Sequence, residues 1–200
     1  MFIKTLFAAI ALSATVGAGA APILNGDFEG GLANWSTSGN VDTAYTGGGS
    51  YFGAGNSAQN GNFAVAFNGG DSAPAGSIWQ RFATTTSAQY TLNFDFGATE
   101  CTSSCGQSLL ASILGADGTT VLASTVVYGG SNGALSSFSL DFGANGTSTT
   151  LRFSDLATNQ TVSIDGVLDN VNVNAVPEPA SLALLGLGLV GLVARRRRRA

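Results

Sequence analysis

Two hundred residues make room for one domain plus short sorting segments. Only 10% are charged, 28 are glycine and none is histidine, so helix-forming residues are scarce and the usual general base and zinc ligand are missing. Ser-His-Asp and Cys-His catalysis are thereby excluded, and the hydrophobic content is too high and the net charge too low for a disordered chain.

The formal charge of −4 hides an uneven distribution. Lys4 and five C-terminal arginines account for six of the eight basic residues. Between residues 21 and 176 only Arg81 and Arg152 remain, against eleven of the twelve acids. Nucleic acid and anionic lipid surfaces need cationic partners to release counterions, so they are poor partners for this middle segment, while neutral polymers and divalent cations fit it.

The chain opens "MFIKTLFAAIALSATVGAGAAPILNG". Lys4 is a short positive head, residues 6–16 are apolar, and Ala18-Gly19-Ala20 has the A-x-A form of a signal-peptidase site. Residues 1–20 are predicted to be a secretory signal peptide; an uncleaved anchor is disfavoured because the run is short and small residues follow it.

From residue 21 to 175 the dominant period is two. "NFAVAFNG" places Phe63, Val65 and Phe67 on one face. "QYTLNFDFG" does the same with Tyr90, Leu92, Phe94 and Phe96, and sets Thr91, Asn93 and Asp95 opposite. "SSFSLDFG" contributes Phe138, Leu140 and Phe142, and "TTLRFSD" contributes Leu151 and Phe153. Alternation in "VLDNVNVN" predicts Val167, Asp169, Val171 and Val173 on one side. "SLLASIL" and "TTVLASTVVY" are two further strands joined through Asp117-Gly118, a hairpin-turn pair. About ten such segments with turn clusters between them predict an all-β sandwich. In "SIWQRFA", Trp79 and Arg81 share one face and Ile78, Gln80 and Phe82 the other; either face can be the core. Residues 46–62 are too glycine-rich for a regular strand and read as a long surface loop.

Cys101 and Cys105 stand in "ECTSSCGQ". In an oxidising compartment two nearby cysteines pair, which here stiffens a local turn. A Cys-x-x-x-Cys spacing without a surrounding βαβ pattern disfavours redox catalysis.

The chain ends "VPEPASLALLGLGLVGLVARRRRRA". Val176 and Glu178 each precede a proline and are pushed toward extended backbone, so Val176-Pro177-Glu178-Pro179 forms a stiff strip. The apolar run 180–194 spans about 22 Å as a helix, short of a ~30 Å hydrocarbon core. Arg195, Arg196, Arg197, Arg198 and Arg199 would hold its end in the cytoplasm.

These residues, 176–200, resemble a PEP-CTERM sorting signal. The resemblance implies a Gram-negative bacterium that makes exopolysaccharide, processing by exosortase, an integral-membrane cysteine protease, and transient residence in the inner membrane. The product is then a surface or biofilm-matrix protein. A permanent single-span anchor is the alternative.

A second resemblance covers most of residues 23–174. "ILNGDFEGGLANW" and "DGVLDNVNV" look like the terminal strands of galactose-binding-like jelly-roll domains, the fold of many carbohydrate-binding modules. In that family a structural calcium ion commonly sits between the terminal strands. Carried over by position, Glu29 and Asp169 are its carboxylate ligands, or else two solvated acids. Trp35 matches a core position. Trp79, Arg81, Tyr45 and Tyr51 are the candidate glycan contacts, with packing as the competing role for Trp79.

The acids stand in no recognisable catalytic motif. An enzyme is therefore the weakest reading, behind a glycan-associating module and a structural surface protein without specific glycan binding. Replacing Pro177-Glu178-Pro179 by alanines is expected to leave a full-length, membrane-bound species. Immunoblotting of membrane and medium fractions checks this, and normal release of the variant would defeat the sorting reading.

Overall fold

A computed structural model describes residues 23–45, 61–69, 75–98, 106–129, 135–159 and 165–177. The signal peptide, Tyr51 and most of the 46–62 loop lie outside the described residues. So do Cys101, Cys105 and everything from Glu178 onward, including the apolar run and the arginine cluster.

Within the described residues the chain forms ten strands and no helix. They are β1 (Ser36–Ser38), β2 (Val41–Tyr45), β3 (Phe63–Phe67), β4 (Ser77–Ala83), β5 (Gln89–Ala98), β6 (Ser108–Leu114), β7 (Val121–Tyr128), β8 (Ser136–Gly143), β9 (Ser148–Asp155) and β10 (Gly166–Ala175). They assemble into two five-stranded antiparallel sheets, ordered β1-β4-β9-β6-β7 and β2-β3-β10-β5-β8. The β6–β7 hairpin turns where its sequence demands. Gly118 adopts φ +72°, and the Asp117 carboxylate accepts from the Thr119 and Thr120 amides at 2.9 Å each. The Thr120 hydroxyl, which donates to Asp117 Oδ2, is the largest cause, ahead of the two amides, that holds Asp117 well below the usual carboxylate range.

The apolar faces pack against each other as the period of two requires. Tyr90, Leu92, Phe94 and Phe96 of β5 are buried, as are Leu151 and Phe153 of β9 and Leu109, Ala111 and Ile113 of β6. Phe94 meets Phe153 edge-on across the interior, ring centroids 5.0 Å apart, an arrangement that contributes about 0.5–1.5 kcal/mol beyond area burial. Ile78, Gln80 and Phe82 are the buried side of β4, which turns Trp79 and Arg81 outward.

The N-terminal segment departs from expectation. Residues 24–34 form turns rather than a terminal strand. Asn25, Phe28 and Asn34 take positive φ. The Asn25 side chain holds the turns together, donating to the Gly31 and Ala33 carbonyls and accepting from the Gly30 amide. The segment nonetheless plugs the sandwich. Phe28 and Trp35 are buried, 5.4 Å apart, and the Trp35 indole donates to the Asn25 carbonyl. Gln80 engages three further backbone groups of the segment: its amide accepts from Leu24 N at 2.8 Å and donates to the Leu24 and Asn34 carbonyls. A buried glutamine is stable only when so satisfied.

β10 corrects a second expectation. Straight alternation would put Val167, Asp169, Val171 and Val173 on one face. The pairing with β5 slips between Asp169 and Asn172, and Asn170 adopts φ +53°. A bulge of this kind reverses facing along the strand. Leu168, Val171 and Val173 therefore join the main core, while Val167 joins Ala64 and Ala66 in a small second cluster on the other side. Against the bulge lies Gly26. Its carbonyl accepts from Val171 N at 2.8 Å, and a Cβ at position 26 would sit 1.9 Å from the Val171 carbonyl oxygen.

A polar cluster borders the first sheet where β9 ends. Asn159 accepts from the amide and hydroxyl of Ser108, and donates to the Ser108 carbonyl and to Asp155 Oδ1. Burial pushes the Asp155 carboxyl up to about 6, opposed by its bond from Asn159.

Two outcomes follow from this packing. Gly26→Ala is expected to destabilise the domain by about 3 kcal/mol or more, because the clash is with backbone that cannot move aside. A thermal melt checks it. Asp155 binds its proton more tightly folded than unfolded, so its contribution to stability is fullest below pH 4. That contribution is lost as pH rises from about 4 to about 6. After allowance for solvent screening the loss is on the order of 1 kcal/mol. Asp155→Asn should flatten that part of the stability–pH curve, measured by denaturant titration.

Candidate functional site

The outward face of the second sheet carries a pocket of about 620 Å³ where β5, β8 and β10 meet the N-terminal turns. Its floor follows from the strand pattern: on β5 and β10 the residues opposite the core are Asn93, Asp95 and Asn172, with Ser137 beside them on β8. The β10 bulge adds Asn170, and the Gly26 contact brings up Asn25 and Asp27 as one wall. Phe138 and Ile23 supply apolar edges. Such a mixture of a few convergent polar groups and apolar walls, in a volume of this size, is typical of small-ligand sites.

The hydrogen bonds hold part of this set rigid and leave part unengaged. Asn170 Nδ2 donates to Asp95 Oδ2 at 2.6 Å. Asn93 faces Asn172 in register and donates to its Oδ1 at 3.3 Å; Asn172 donates in turn to the Asn170 carbonyl. Asn93 Oδ1, the Asp27 carboxylate and the Ser137 hydroxyl are free of hydrogen bonds to other described residues. The pocket thus offers acceptors and a hydroxyl on a fixed amide lattice, a set suited to neutral polyhydroxyl ligands.

The residues singled out in the sequence lie elsewhere. Trp79 and Arg81 are on the outward face of the first sheet, opposite the pocket's sheet. Trp79 is half-buried there, neither packed in the core nor bare, with the Arg152 guanidinium 5.7 Å from its ring centroid. Tyr45 ends β2, paired in register with Phe63. Val176 and Pro177 are exposed just past β10, with Val176 N bonded to the Gln89 carbonyl.

Glu29 and Asp169 are engaged separately. Glu29 Oε1 accepts from the Asn62 and Phe63 amides at 2.7 and 2.8 Å, fixing the entry to β3. Asp169 is fully buried opposite Asp95, and its Oδ1 accepts from Asn170 N. No group of three or more His, Cys, Asp or Glu side chains that could hold a metal ion occurs among the described residues. Nor is any helix among the described residues long and apolar enough to cross a membrane.

The pocket residues were visible in the sequence only as the solvent side of alternating strands. What marks them out is the bulge and the turn wall, which no local pattern announces.

Comparison with known proteins places this geometry. The profile of the family described as "Protein of unknown function (DUF642)" matches residues 22–174. The chain belongs to that family. Residues 175–199 match the PEP-CTERM protein-sorting motif, which marks the DUF642 domain for export and the cell surface or beyond. No curated protein matches the sequence. Among solved structures, the fold is similar to TmCBM61, solved in complex with beta-1,4-galactotriose. The TM-score is 0.54 at 14% identity, over 76% of this chain and 95% of that one. It is also similar to the K1 cleaved adhesin domain of Lys-gingipain from Porphyromonas gingivalis W83. Here the TM-score is 0.52 at 17% identity, over 79% and 99% of the two chains. A third is the enzymatically active domain of tailspike protein 4 of bacteriophage CBA120. Its TM-score is 0.51 at 14% identity, over 77% of this chain and 21% of that one. The DUF642 domain is accordingly an all-β sandwich, a fold it shares with these three structures.

Proposed function

We propose that this DUF642 protein is an exported, non-catalytic carbohydrate-binding module. Exosortase processes its tail, and it associates with the producer's exopolysaccharide at the cell surface or in the matrix. The pocket on the second sheet is its glycan site. The observation that carries this reading is the convergence of Asn93, Asn172, Ser137 and Asp27 on one concavity of about 620 Å³, with unengaged polar atoms aimed at it. A sugar offers many hydroxyls that both donate and accept. Asn93 Oδ1 and the Asp27 carboxylate accept from them, and the Ser137 hydroxyl does either. Phe138 and Ile23, both also packed against the core, leave apolar edges for sugar C–H patches.

The galactotriose of TmCBM61 suggests the first probe. In calorimetric titrations of the exported protein against β-1,4-galacto-oligosaccharides and the host's own exopolysaccharide, at least one should bind. The double variant Asn93→Ala/Asn172→Ala should then weaken binding by about tenfold or more, with Tm little changed. If neither glycan binds, the domain is a structural surface protein. Release of reducing sugar would make it an enzyme.

A further inference from the structure

The outward face of the first sheet has a chemistry different from the pocket's. Residues that point away from the core on β1, β4, β6, β7 and β9 follow from the burial alternation and the strand register. One cross-strand row runs Ser36, Trp79, Arg152, Ser112 and Ser124. Arg81 stands two residues along β4 from Trp79, in register with Thr150. The two arginines are therefore diagonal neighbours on adjacent strands, roughly 7–8 Å apart along the backbone.

Two facts about this face are unexpected for so acidic a domain. First, Arg81 and Arg152 are the only cations between residues 21 and 176, and both stand on it. Second, none of the outward positions on its five strands is an Asp or Glu. Eleven acids populate the same stretch of sequence, yet neither arginine meets a carboxylate among the described residues. Arg81 donates instead to Ser148 Oγ and the Ala116 carbonyl. Arg152 gives a single bond, to Ser77 Oγ at 3.3 Å, and rests over Trp79. The indole holds one guanidinium in place by cation–π attraction, and serine holds the other. Each keeps N–H groups without an acceptor among the described residues.

We propose that this face is a second docking surface, for a carboxylated polysaccharide. Planar guanidinium groups match a carboxylate with two parallel hydrogen bonds. The serine and threonine hydroxyls of the surrounding rows suit sugar hydroxyls, and the uncovered part of the Trp79 ring suits an apolar sugar face. Two cations within a strongly acidic domain are too few for a densely charged polyanion such as nucleic acid. They are sufficient for a polymer with one carboxylate per sugar. The site is separate from the pocket and does not depend on it.

Affinity electrophoresis of the exported protein in native gels containing alginate tests the idea, with mobility referenced to polymer-free gels. Alginate should retard the protein, and added salt should relieve the retardation. Arg81→Gln and Arg152→Gln should each weaken it about tenfold or more, and together abolish it, with unchanged thermal melts. Trp79→Ala should weaken it as well; because that variant can also disturb the sheet, the arginine variants decide. Asn93→Ala/Asn172→Ala should leave alginate retention intact, which separates this surface from the pocket. No retardation in alginate, or retardation that survives the double arginine variant, would overturn the proposal.

Discussion

The approach of Gly26 to Val171 is the constraint on which much of the molecule depends. A backbone contact this close is open only to glycine on one side, and it requires the partner strand to present its amide outside the regular ladder. The β10 bulge does so. The bulge and the glycine together bring the start of the domain against its end and let Phe28 and Trp35 enter the core. They also raise the wall that makes a pocket of an otherwise flat sheet face. Gln80 serves the same join from the opposite sheet by satisfying both backbone groups of Leu24.

Charge is arranged with equal economy. Of the described acids, Asp95 on the second sheet and Glu29 in the N-terminal turns are tied by amide donors, while Asp155 ends β9 of the first sheet. Among the described residues neither arginine bonds a carboxylate, and both stand on a sheet surface whose other polar groups are hydroxyls. A surface of this kind separates an amide-lined concavity bearing Asp27 and Asp95 from a small cationic platform by the thickness of a sandwich. For a protein carried to the cell surface by its PEP-CTERM signal, two chemically distinct faces would allow one domain to bridge two polymer strands.

Much of the fold was legible from alternation alone. Tyr90, Leu92, Phe94 and Phe96 face the core because a half-buried strand has no other use for that pattern. The Asp117-Gly118 turn was equally plain, since its geometry is local. Three features were not legible. The 24–34 segment was expected as a terminal strand from resemblance, but its conformation follows from side-chain bonds of Asn25 to residues up to eight positions away. Alternation in β10 is unbroken in sequence, and the bulge comes from contacts with Gly26 and β5. The orientation of β4 could not be read from its own residues, because Trp79 with Arg81 and Ile78 with Phe82 are both plausible inner faces.

The sequence by itself determined the class of architecture, the acidity of the middle segment, the lack of histidine chemistry and the sorting tail. Each of these rests on composition or on a short contiguous pattern, for which near neighbours in the chain suffice. The tertiary structure alone decided which face of each strand met solvent, and so where Asn93, Asn172, Trp79 and Arg152 came to lie. Those outcomes depend on register between strands far apart in sequence. Register is set by a whole core packing at once and not by any one segment.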